Sequence, residues 1–421
     1  MYYPELLRSL TLGLVMVLLT ACGGGGGVTA PPITVAGSAI PGANVLAIVS
    51  DSGPAGAAYQ VNRLYADVTI CKPGTTTCQL IDHVLVDTGS TGLRLLASEV
   101  PIGLGLNQVP GNTGFPLLNC AQFVDTSFAW GPVAVADIKL GNMTASSVPI
   151  QIVADPAYQS KVPSACATSG KAITSVIGSG SGALGAKGIL GIGHSQQDCG
   201  PGCITAGHGY YYACADSSCS TVTSSATPVN KQLTNPVAKF TTDYNGLVID
   251  LPAVSAAGAT SVSGSIVFGV GTQANNLTTG RTLLQISVAN LDITAALNIV
   301  TLPMTTSFLD TGSNGLFFDA PFATLPLCPN TPSSSSSFYC PASTTPITAT
   351  LTGSNNVPVS TGFAVSAPTS ASGTYVLPQL GGPMNDPGTF DGGLPFFFGR
   401  RIFMGIEGMP SPLGTGPFYA L

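Results

Sequence analysis

An all-β body in two similar lobes is what this sequence predicts, and three observations predict it. Glycine and proline, 52 and 33 of 421 residues, break the chain at short intervals. The intervals hold short apolar runs rich in β-branched residues, a pattern of strands rather than helices. One ten-residue pattern also occurs twice, at 84–93 and 307–316, in matching apolar context.

The chain opens with residues 1–22, where a short n-region ending at Arg8 precedes the apolar stretch Leu10 to Leu19. That stretch is too short to span a bilayer and reads as a signal peptide. Its end, Leu19-Thr20-Ala21-Cys22, resembles a bacterial lipobox, which makes Cys22 the expected lipidation site. Residues 23–40 begin with five glycines and form a flexible linker. A lipid anchor in the bacterial cell envelope is therefore expected. Gly23 after the cysteine, where a retention signal would place Asp, points to the outer membrane.

Composition narrows the partners. Thirteen Lys plus Arg against 19 Asp plus Glu give a net charge of −6, and no basic run could line a nucleic-acid backbone, so no nucleic-acid partner is expected. The three histidines, His83, His194 and His208, fall in no zinc-binding pattern, so neither metal nor cofactor is expected.

Ten cysteines remain besides Cys22, an even number in an exported chain, and read as disulfides. Spacing suggests Cys71 with Cys78, Cys199 with Cys203, Cys214 with Cys219, Cys328 with Cys340, and Cys120 with Cys166. The four cysteines between 199 and 219 could exchange partners, and a metal cluster there is the competing reading.

The repeat carries the chemistry. Val86-Asp87-Thr88-Gly89-Ser90 and Leu309-Asp310-Thr311-Gly312-Ser313 each run an apolar strand into a tight turn. Each is followed by an apolar-apolar-Gly segment, taken as Ile189-Leu190-Gly191 for the first and Phe397-Phe398-Gly399 for the second. If the lobes face each other, Asp87 and Asp310 meet at their junction. Two adjacent carboxylates cannot both ionise cheaply, so one keeps its proton and the pair is one acid and one base. Such a pair can deprotonate a water attacking a carbonyl carbon and protonate the developing oxyanion. Gly89 and Gly312 would allow close backbone approach, while Thr88, Ser90, Thr311 and Ser313 can donate hydrogen bonds that orient the carboxylates.

These two motifs and their following segments resemble the pepsin-like bilobal aspartic proteases. The resemblance runs over roughly residues 60–421. Val133 to Gly141 resembles the strand after that family's flap, and Ser263 to Gly269 its Gly-Ser-hydrophobic-Phe-Gly strand. It implies an N-terminal lobe at 41–275, a C-terminal lobe at 276–421, an active-site cleft between them, and an aspartic endopeptidase acting as a monomer on polypeptide substrates. Asp87 and Asp310 would be the catalytic pair. The alternative is a catalytically inactive envelope lipoprotein that keeps the fold for binding or assembly.

The sequence also departs from the family. No tyrosine stands where the flap tyrosine is expected, and Trp130, the single tryptophan, is the flap candidate. The Cys-rich insert from Asp198 to Cys219 has no counterpart, and Arg400-Arg401 stand where the family places an acidic residue. Gly180 to Gly185 fits a dinucleotide glycine pattern, but Gly188 and Gly191 exclude the helix that must follow. His83, four residues before Asp87, is expected to be structural.

Overall fold

The computed structural model describes residues 33–38, 40–177, 182–329, 337–368 and 372–421. The signal segment, Cys22 and most of the glycine-rich linker lie outside them. Among the described residues the chain is built of strands joined by turns and single-turn 3₁₀ segments, with one four-residue α-helix, Leu394–Phe397. This is the all-β architecture that the turn-rich sequence predicts.

Two main sheets divide the strands. The larger gathers every described strand before residue 286 and also takes in Arg400–Gly405 and Phe418–Ala420. The smaller has seven strands, all between Ile293 and Gly392. Sheet membership thus does not follow chain order. Gly246–Leu251 lies antiparallel between Ser261–Phe268 and Arg400–Gly405, and Val45–Ser50 pairs with the outer edge of Ser261–Phe268. This junction is buried on both faces, and Leu247, Val248 and Ile249 are each at most 1% exposed. Strands covered on both sides read as continuous apolar runs, as these do.

Arg400 and Arg401 begin a strand of this junction. Arg400 stacks its guanidinium 4.4 Å from the Phe396 ring centroid and donates to the Phe396 carbonyl at 2.6 Å. Arg401 pairs with Asp250 on the neighbouring strand at 3.5 Å. Basic residues are accommodated because their stems pack on aromatic rings while their heads reach acceptors at the sheet edge.

All five cysteine pairs form as spacing suggests, including the long pair Cys120–Cys166. The Cys-rich insert adds strand Tyr211–Cys214 to the edge of Leu117–Gln122, which forms a hairpin with Ser127–Leu140. Buried Asp198 clasps the insert to the body: it accepts from Tyr211 Oη at 2.6 Å and Asn119 Nδ2 at 3.1 Å, and faces Arg94 at 3.5 Å.

Candidate active site

Each repeated motif ends a strand and turns back beside a third segment threaded between its two arms. In the first, Gly188–Ile192 runs parallel to Cys78–Asp87, with Gly191 opposite Asp87, and antiparallel to Thr91–Leu96, with Gly191 opposite Gly92. In the second, Asp391–Gly392 runs parallel to Met304–Leu309 and antiparallel to Leu316–Phe317.

The threading segment of the second motif corrects the sequence expectation. It is Asp391-Gly392-Gly393, whereas Phe396 and Phe397 lie in the short helix and Phe398 caps it. Pro395 supplies no N–H to a sheet ladder and fits the first helical turn, so the segment after Gly393 coils instead of extending. Gly393 is required by space, since a Cβ there would stand 2.2 Å from the Gly315 carbonyl oxygen. Apolar residues were the wrong signal, because glycine permits the approach.

The turns meet face to face. The Gly89 N–H donates at 2.9 Å to Asp87 Oδ1 and at 2.9 Å to Asp310 Oδ1, so one donor serves both carboxyl groups. Ser90 Oγ donates to Asp87 Oδ2 at 2.6 Å. The Gly312 N–H and Ser313 Oγ hold the two Asp310 oxygens at 2.8 and 3.0 Å. Side chains at either glycine would collide with the opposite carboxyl: a Cβ on Gly89 falls 2.7 Å from Asp310 Cγ, and one on Gly312 falls 2.8 Å from Asp87 Oδ1.

Beneath the carboxyls the two threonines form a reciprocal brace. Thr88 Oγ1 donates to the Leu309 carbonyl at 3.3 Å, and Thr311 Oγ1 donates to the Val86 carbonyl at 2.8 Å. Both hydroxyls are buried and each bonds across to the other motif. Tyr419 supports the second motif from below: its Oη accepts from the Leu309 N–H and donates to the Leu309 carbonyl, both at 3.1 Å. Nothing in the sequence near Tyr419 signals that contact.

Burial, and then the charge of Asp87, hold the Asp310 carboxyl well above the usual carboxylate range. A third carboxyl adjoins them. Asp391 is 3% exposed, and its Oδ1 has no hydrogen-bond partner. Burial and the charge of Asp310 push it up as well. Asp391 was not singled out in the sequence. A carboxylate between an aromatic residue and two glycines, Phe390-Asp391-Gly392-Gly393, was the available signal.

Other candidates lie elsewhere. Trp130, expected at a flap, is a packing residue of the Leu117–Gln122 and Ser127–Leu140 hairpin. It is 4% exposed, donates its indole N–H to the Tyr158 carbonyl at 2.9 Å and meets Tyr212 edge-on. The insert and the Cys120–Cys166 bridge surround the ring, which leaves it no free face toward a cleft. His83 faces Asp82 at 2.7 Å and Asp51 at 3.6 Å. Cys22 lies outside the described residues.

A family model described as "Protein of unknown function (DUF3443)" matches residues 41–421. The chain belongs to that family. The DUF3443 match spans both motifs, the junction strands and Tyr419. No curated protein matches the chain in sequence. Among solved structures it is similar to an aspartic proteinase from Irpex lacteus, with a TM-score of 0.49 and 15% identity over 89% of this chain and 96% of that one.

Proposed function

We propose that this chain is an aspartic endopeptidase in which Asp87 and Asp310 work as one acid and one base. The observation that carries the reading is the single Gly89 N–H shared by both carboxyls, which places them in reach of one water. The ionised carboxylate takes a proton from that water as its oxygen bonds to the peptide carbon. The protonated carboxyl gives its proton to the carbonyl oxygen, forming a tetrahedral diol. Proton transfer to the nitrogen then breaks the C–N bond and leaves an acid and an amine. No covalent enzyme intermediate is formed. Purified protein incubated with denatured protein from pH 3 to 7, with and without a statine-type inhibitor, tests this. Inhibitor-sensitive cleavage supports it, and intact substrate throughout, with the fold preserved, refutes it.

A specific observation favours the second reading, a binding or assembly protein without catalysis. The hairpin that would close over substrate is paired to the insert strand Tyr211–Cys214 and tied by Cys120–Cys166, so its movement is restricted. Under either reading we place the protein in the bacterial envelope through lipid on Cys22, with the outer membrane as its site.

A further inference from the structure

Arg63 stands immediately before strand Leu64–Cys71, and its neighbours fix it between the two motifs. Asn62 donates Nδ2 to the carbonyl of Asn314, the residue after Ser313, at 2.8 Å. Its Oδ1 accepts from the Leu377 N–H at 2.7 Å. On the other side, Tyr65 packs with Ala121, Phe123 and Ala129 of the hairpin. The backbone at Arg63 is therefore pinned to the second motif on one side and to the hairpin on the other.

Its side chain has no hydrogen-bond or ion-pair partner among the described residues. Nε is buried without a hydrogen bond. The other described arginines are all engaged: Arg94 donates to Thr91, Arg281 to Arg401, Arg400 to Phe396 and Arg401 to Asn275. The carboxyls within electrostatic range of Arg63 are Asp125 at the exposed hairpin tip, Asp87 and Asp310. None of them forms an ion pair with it. Asp125 accepts from the Ser127 N–H and hydroxyl, Asp87 from Gly89 and Ser90, and Asp310 from Gly89, Gly312 and Ser313.

Arg63 is half-buried, with Nε covered and unpaired, and a planar guanidinium that no protein acceptor engages is suited to a carboxylate arriving from outside. We propose that Arg63 is a specificity-determining residue that selects polypeptides carrying an Asp or Glu side chain in the subsite next to the dyad. The assignment rests on the endopeptidase reading, which puts an extended peptide across Asp87 and Asp310.

The test uses matched peptides that differ only by Glu or Gln at each position around a cleaved bond. Wild-type protein prefers Glu at one position by roughly ten- to a hundredfold in kcat/KM, the contribution of one charge-assisted hydrogen bond. Arg63→Gln brings that ratio to within about twofold of unity, while Arg63→Lys, which keeps the charge but not the fork, retains a smaller preference of the same sign. Arg63→Lys also serves if Arg63→Gln does not fold. Fluorescence-anisotropy binding of the same peptide pairs is measured alongside. Glu-selective binding lost in Arg63→Gln supports the assignment even where nothing is cleaved, and only the endopeptidase reading then falls. An unchanged Glu/Gln ratio in Arg63→Gln, or no acidic preference in wild-type protein by either readout, overturns it. So does a shifted pH profile with unaltered selectivity, which would assign Arg63 to the electrostatics of the pair.

Discussion

Thr88 and Thr311 each give a backbone N–H to the other's hydroxyl, at 3.3 Å for Thr88 N and 3.0 Å for Thr311 N, so neither motif is complete without its counterpart. Replacing either threonine with valine keeps the volume and leaves buried backbone groups unpaired, a cost of about 1–3 kcal/mol. Because the two residues touch across one junction, the double variant loses less than the sum of the singles, with a coupling of at least about 0.5 kcal/mol. Urea unfolding of the four proteins measures it, and strict additivity would remove the brace.

The dyad itself predicts non-additive catalysis. Asp87→Asn and Asp310→Asn each leave less than about a tenth of wild-type hydrolysis, and the double variant is no worse, because a lone carboxyl cannot be both base and acid. The wild-type rate follows a bell bounded by the apparent pKa values of the pair, its upper limb displaced above the usual carboxylate range by the burial of Asp310. Progress curves on a denatured protein substrate provide the check.

Asp391 gives a prediction about stability alone. Its carboxyl is raised above the unfolded value by burial and by Asp310, so its neutral form is stabilising at low pH and that contribution is lost as pH rises. Asp391→Asn, nearly isosteric and uncharged, should therefore be close to neutral at pH 4 and stabilising at pH 8. Thermal melts at the two pH values separate the outcomes. Equal shifts at both would show that the carboxyl titrates alike in the native and unfolded states and is not raised.

Anchoring is tested in cells. Cys22→Ser should move the protein from the membrane fraction to the soluble periplasmic fraction or leave it unprocessed. Multiple acyl chains on Cys22 would be needed for stable binding, since one chain alone holds only marginally. Unchanged partitioning of the variant would refute lipidation at that residue.

Much of the body was legible because it depends on local chemistry. Turn residues after apolar strands announced Asp87 and Asp310, and the short loops between cysteines announced the disulfides. What stayed hidden depends on packing between distant segments. Gly393 threads the second motif because Gly315 leaves no room for a side chain, a constraint visible only once both are in place. Trp130 does lie on the hairpin that its distance from Asp87 implies, yet the insert strand supplies Tyr212 against it, so its ring packs in the core. Arg63 gave no signal, since a lone basic residue before a strand is ordinary until its surroundings prove to lack an acceptor.

The contact from Tyr419 to Leu309 bears on when the second motif is complete. A chain emerging from synthesis presents Asp87 early, Asp310 much later, and Tyr419 last among these groups. Until Tyr419 docks, the Leu309 N–H and carbonyl lack the hydroxyl that pairs them. Under the endopeptidase reading proposed above, a chain lacking Tyr419 would carry both aspartates while the strand leading to Asp310 lacks that hydroxyl beneath it.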